Sequence, residues 1–188
     1  MDMKFKQIIS NVAEMLGLND VVDLINDGSN VTVLNDNMNY RLLLRCTSLV
    51  VANLATHYSE LTTTQRITAQ SGRINFSSFD NPPTSIKEVR RTTGERVRFA
   101  TFIDHIALTN IGTGSFDVTY TYVPKIVTGN ELNPFPLPSA AIEYGIMAEY
   151  AFIQGMLSEA QIWNEKFTEM IFSVKRKCGK SLKMPRSF

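Results

Sequence analysis

The chain has 188 residues, 44% of them hydrophobic and 20% charged, with a formal net charge of +1. That length bounds one domain, or one domain carrying an insertion, with room for a sizeable core. The balance excludes a strongly basic nucleic-acid binder and an acidic solvating protein, and two cysteines exclude a disulfide scaffold. No apolar run approaches the roughly 20 residues of a membrane span, and none suited to a secretory leader follows Met1 to Lys6. A reducing compartment is expected.

Phe5, Ile8, Ile9, Val12, Met15 and Leu16 recur at helical spacing and stop at Gly17. Asn19 is placed to cap a second, short helix through Ile25 that ends at Asp27-Gly28. Ser29 to Asn39 is rich in Asn and Asp and reads as loop. A third helix is expected from about Asn39 to Tyr58. Its apolar residues lie on more than one face, so it should be central and should pack on the C-terminal helix.

The pattern changes near Glu60. Thr62 to Thr68 is β-branched, and a turn at Gln70-Ser71-Gly72 precedes a short run from Arg73 to Phe76. Strands follow around Ile86 and Val89, around Val97 and Phe99, and from His105 to Thr109. Phe116, Val118, Tyr120 and Tyr122 then alternate with Asp117, Thr119 and Thr121, the cleanest period-two signal in the chain. Turns at this spacing predict a small antiparallel sheet or sandwich.

Asn133 to Pro138 holds three prolines and must be extended. Ser139 is positioned to cap a long helix, with Glu143 in its first turn. The apolar stripe Ile142, Ile146, Tyr150, Ile153, Leu157, Ala160, Trp163, Phe167, Ile171 and Val174 fits one helical face throughout. Unbroken, that helix would span about 54 Å. Gly145, Ala148, Ala151 and Gly155 form a line of small residues beside the stripe, as expected where another backbone approaches closely. Glu149, close to the stripe, is expected to be partly buried and to need a partner such as an arginine or tyrosine.

The fold class predicted is therefore α+β: an α-helical bundle with a long C-terminal helix and an inserted antiparallel β-sheet or sandwich. The divisions are N-terminal helices over 1–60, the β insertion over 61–130, the connector and long helix over 131–174, and a basic arm over 175–188.

Chemistry-bearing patterns are sparse. Asp104-His105 invites a hydrolase reading, but no nucleophile motif accompanies it. His57 and His105 with two scattered cysteines do not give zinc-ligand spacing. Gly179-Lys180-Ser181 lacks the earlier glycine of a phosphate loop, and Gly112-Thr113-Gly114 reads as a hairpin turn. Neither a cofactor nor a metal is expected. Two basic features remain. Lys87, Arg90, Arg91, Arg96 and Arg98 decorate one hairpin, moderated by Glu88 and Glu95. The final segment holds Lys175, Arg176, Lys177, Lys180, Lys183 and Arg186 without an acid. Together they support an alternative reading as a nucleic-acid-binding domain whose affinity would fall with salt.

Tyr144-Gly145, Ala148-Glu149-Tyr150, Gly155, Glu159-Ala160, Trp163 and Phe167, then a basic stretch and Met184-Pro185-Arg186, stand in a particular order. Together with Ile86, Val89, the strand ending at Val123-Pro124 and the Pro-rich connector, this order resembles the head–tail connector (adaptor) proteins of tailed bacteriophages. The likeness covers roughly Arg73 to Phe188. It implies a structural virion protein without catalysis, located in the neck between capsid and tail and in the host cytoplasm during assembly. Its partners would be identical subunits in a ring, commonly of twelve, then the portal protein and the tail or stopper proteins. Genome DNA would pass through the channel without sequence-specific binding, and no membrane is implied. Carried onto this chain, Tyr144, Gly145, Ala148, Glu149, Gly155, Trp163 and Phe167 belong to the ring body. Lys175, Arg176, Lys177, Lys180, Leu182, Lys183, Met184, Arg186 and Phe188 belong to the portal-binding arm.

Overall fold

A computed structural model describes residues 3–109, 112–126 and 128–177. The protein is α+β. Two compact units share the chain: residues 52–125 form one, and the flanking segments on both sides form the other.

The helical unit begins with α1 (Phe5–Met15) and α2 (Asn19–Asn26). The residue preceding α2 is Leu18, with no side-chain cap, so Asn19 is the first helical residue and not the predicted cap. The Ser29–Asn39 segment, expected to be loop, contains a short helix, α3 (Val31–Asp36). Its buried Leu34 supplies the apolar anchor that the polar composition concealed. Asn37 then starts α4 (Met38–Asn53): its side-chain oxygen accepts the Tyr40 backbone N–H at 2.9 Å, an N-cap bond. A π-helical turn, Leu54–Tyr58, continues α4.

Among its described residues the β unit holds six antiparallel strands in two small sheets. In the larger, β6 (Gly114–Tyr122) lies between β1 (Leu61–Ala69) and β3 (Pro83–Arg91). In the smaller, β5 (His105–Leu108) lies between β2 (Arg73–Asn75) and β4 (Phe99–Thr101). The turn joining β1 to β2 is Ser71-Gly72, both with positive φ (51° and 74°), and Gln70 and Arg73 exchange backbone hydrogen bonds across it. Such a two-residue turn matches the right-handed twist of the strands it joins. The core of this unit is Ile67, Ile74, Phe79, Val89, Ile106, Phe116, Val118 and Tyr120. Phe79 meets Tyr120 edge-on at 4.8 Å between ring centroids.

After the proline-rich connector the chain returns to helix, but not to one rod. α5 (Ser139–Ile153) and α6 (Leu157–Lys177) are separate helices packed on each other. Gly155 has φ +77°, the Gly155 N–H donates to the Phe152 carbonyl, and the Met156 N–H donates to the Ala151 carbonyl. That pair of bonds is a Schellman termination, which a residue with a Cβ enters only with strain. A Cβ at Gly155 would meet nothing within 4 Å, so its role is backbone reversal and not the close helix packing predicted for it. Pro138, not Ser139, precedes the first residue of α5, without a side-chain cap. Glu143 lies beyond the first turn, buried, and its carboxylate accepts the Asn11 amide at 2.9 Å.

Packing of α4, α5 and α6 converges on Gly145. A Cβ there would stand 2.9 Å from Val50 Cγ1 and 3.0 Å from Phe167 Cε2. The predicted contact between the third sequence helix and the C-terminal helices is thus made where α5 has no side chain.

Candidate functional site

The α5–α6 hairpin carries most of the residues singled out in the sequence, so its surface is the natural place to begin. Ile142, Ile146, Ala160, Phe167 and Ile171 of the predicted stripe are buried. Ile153 and Leu157, in the middle of the stripe, are not, because the chain reverses between them. Leu157 is 64% exposed and its neighbour Phe152 63%, with Ile153, Met156 and Ile162 also exposed. Five large apolar residues therefore surround one helical elbow. By typical side-chain areas this is an apolar patch of a few hundred Å², about as large as a monomer ordinarily tolerates.

An open groove of about 480 Å³ runs along the elbow between the two helices, lined by Ala148, Glu149, Phe152, Leu157, Gln161 and Asn164 among others. Glu149 is half-buried there. Burial pushes its carboxyl above the ordinary range, and it has no hydrogen bond or ion pair with another described residue. The arginine or tyrosine partner expected from the sequence is absent among the described residues. A carboxylate losing hydration without gaining a cation is an electrostatic cost that an incoming cation would relieve.

Tyr144 and Trp163 lie across the hairpin from each other, stacked at 5.7 Å between centroids, and the Lys166 ammonium sits 4.3 Å from the Trp163 ring. That cation–π contact lies within α6; the aromatic stack, with the same ammonium 5.7 Å from the Tyr144 ring, ties α6 to α5. Of the residues assigned to a ring body, Gly145 and Phe167 are interior packing. Tyr144 and Trp163 form a half-exposed aromatic pair, Ala148 and Glu149 line the groove, and Gly155 forms the turn.

The predicted arm divides. α6 extends to Lys177, three residues beyond the predicted helix end, so Lys175, Arg176 and Lys177 of the predicted arm continue the helix. Lys180, Leu182, Lys183, Met184, Arg186 and Phe188 lie outside the described residues.

The basic hairpin is largely neutralised in place. Lys87 pairs with Glu60 at 2.7 Å, Arg90 with Glu88 at 2.9 Å, Arg91 with Glu95 at 3.7 Å, and Arg96 with Glu88 as well. The Arg90 hydrogen bond first, and the one from Arg96 next, hold the Glu88 carboxyl below its usual range. Arg98 is the one cation of the five with no acidic partner among the described residues. Such pairing leaves little free positive field for a phosphate backbone.

The His105 Nδ1–H donates to the Asp104 carboxylate at 2.7 Å, which holds that carboxyl below its usual range, and the ring stacks on Phe102 at 4.8 Å between centroids. No hydroxyl or thiol is hydrogen-bonded to this pair among the described residues, and Asp104 is exposed. The contacts hold the turn between β4 and β5 and present Ile103 fully to solvent. His57 is exposed in the π-helical turn. Among the described residues no group of three His, Cys, Asp or Glu side chains could hold a metal ion, and no helix is long and apolar enough to cross a membrane.

Sequence periodicity missed the elbow because it measures spacing along a chain and not where that chain turns. The signal available was Gly155 inside an otherwise continuous stripe, followed by the adjacent apolar pair Met156-Leu157. No protein-family model matches the chain, and no curated protein matches it.

Proposed function

We propose that this chain is a structural, non-catalytic adaptor that assembles head-to-tail into a ring beneath the portal of a tailed bacteriophage. There it forms part of the DNA channel and of the site where the tail attaches. The observation that carries this reading is the apolar elbow: Phe152, Ile153, Met156, Leu157 and Ile162 exposed around a packed helix pair. A closed heterologous ring needs two different surfaces per subunit, each covered by its neighbour. Val33 and Met38, exposed on α3 and α4 of the same unit, supply apolar residues on other elements for the second surface. The order of motifs shared with connector proteins gives the partners: identical copies, commonly twelve, the portal on one side and tail or stopper proteins on the other. The basic segment from Lys175 to Phe188 is the portal-binding arm.

Deleting residues 175–188 tests the arm. The expected outcome is a chain with unchanged circular dichroism that no longer co-sediments with portal rings; undiminished association overturns the assignment. Purified virions that lack this polypeptide overturn the adaptor reading as a whole.

A further inference from the structure

The elbow groove presents a half-buried carboxylate with no cation, walled by Phe152 and Leu157. The eleven residues after Lys177 have the complementary chemistry: Lys180, Lys183 and Arg186 without an acid, alternating with Leu182, Met184 and Phe188. We infer that in the unassembled chain this C-terminal segment folds back and occupies the α5–α6 groove of its own molecule, placing a cation on Glu149 and apolar side chains over Phe152 and Leu157.

Reach favours the same molecule. From Lys177 back to Gln161 is sixteen residues of α6, about 24 Å at 1.5 Å per residue. Eleven extended residues span up to about 36 Å, and Gly179 lies where the reversal is needed. Charge favours the path as well. Between Leu157 and Val174, α6 carries Glu159, Glu165 and Glu169, all exposed, against Lys166 as the one cation. A segment with three positive charges therefore returns along an acidic helix. Tethering raises the local concentration of so short a segment to the millimolar range, so a contact with a dissociation constant of about a millimolar suffices.

Docking covers the apolar residues that a neighbouring copy would otherwise bury. The arm thus shields the subunit from association until a competing partner draws it away; this regulatory half rests on the ring reading, whereas the docking does not.

Trp163 is the one tryptophan of the chain and stands on α6 beside the groove. The full-length chain carrying Cys178→Ser and Ser187→Cys, labelled at position 187 with a fluorescence acceptor, reports the distance from Trp163 to the arm. The expected result is strong energy transfer at low micromolar concentration that does not change on dilution. It should fall several-fold on adding Glu149→Lys with Leu157→Asp. If those substitutions disturb folding by circular dichroism, synthetic peptide of residues 178–188, in several-fold excess over the roughly millimolar concentration of the tethered arm, must lower the transfer of the unsubstituted groove instead. Transfer no greater than in denaturant, or insensitive to both the groove substitutions and the peptide, overturns the docking. Transfer that falls on dilution overturns the same-molecule assignment, since the arm then lies on a second copy. Intact transfer in a chain that light scattering never finds in rings, with or without the arm, overturns the regulatory half and leaves the docking standing.

Discussion

The Asn11 side-chain amide donates to the Glu143 carboxylate across 2.9 Å, joining α1 to α5 between residues 132 apart in sequence. Glu143 is buried, so this bond is what makes its polar end tolerable inside the helical unit. Glu143→Ala leaves the Asn11 amide short of its acceptor and is expected to cost about 1–3 kcal/mol. Glu143→Gln keeps an acceptor oxygen and should cost less than about 1 kcal/mol. Urea denaturation followed by circular dichroism distinguishes the two.

Gly145 sets a second expectation. Alanine in the middle of α5 would gain about 1 kcal/mol in helix propensity, but its Cβ would stand 2.9 Å from the short, branched Val50 side chain. Overpacking costs roughly 1–3 kcal/mol, so the clash wins and Gly145→Ala should destabilise by about 1 kcal/mol. Gly145→Val should fall at the upper end of the roughly 1–3 kcal/mol range or beyond it. Gly155→Ala has open space and fails differently. Its left-handed backbone costs about 1–2 kcal/mol, with no repacking visible in the Trp163 emission spectrum.

Glu149 predicts a pH dependence whose sign follows from burial. Its folded-state carboxyl binds a proton more tightly than the unfolded one. The associated stability is full below the ordinary glutamate range and is lost as pH rises through the raised value. At neutral pH the charged group is therefore a liability. Glu149→Gln should raise Tm there, by less than about 1 kcal/mol in stability since solvent screens a half-exposed group. The gain should vanish in acid. It should be smaller in the full chain than in one ending at Lys177, because a docked cation removes part of the liability.

Cys46 is fully buried in α4, and burial first, with the Glu149 charge second, pushes its thiol up to about 12. At pH 8 its thiolate fraction is on the order of 10³-fold below that of an ordinary thiol, before steric exclusion is counted. A thiol reagent should therefore spare Cys46 in the native chain and modify it after denaturation. Mass spectrometry of the native protein should find Cys46 unmodified. Modification of Cys46 in the folded protein would show that α4 opens on the timescale of the assay.

Much of the architecture was legible because it is written in periodicity. The alternation from Phe116 to Tyr122 became the central strand of the larger sheet, and the stripe from Phe5 to Val12 became a buried helix face. Punctuation inside an apolar run was harder to read. Gly155 belongs to both the small-residue line and a helix stop, and only the tertiary fold decides between them. The exposed elbow was hidden for the same reason: Ile153 and Leu157 have the right spacing to be buried and are turned outward by the reversal they flank. Charge pairing was legible where it is local, with Glu88 and Glu95 beside the arginines they meet, and illegible for Lys87, which meets Glu60 from another part of the chain. Leu34 stood in a segment whose Asn and Asp content outweighed its one anchor.

The β unit is an unbroken stretch, 52–125, whereas the helical unit is assembled from two pieces of chain on either side of it. During synthesis the strands can pair as soon as residue 125 clears the ribosome, since all their partners have then emerged. The first helices must wait for Glu143, Phe167 and Ile171 before their own interior can close. Val50 and its neighbours are thus exposed for the duration of translating the insertion, which makes this nascent half-core the stage at which the chain is most in need of a chaperone.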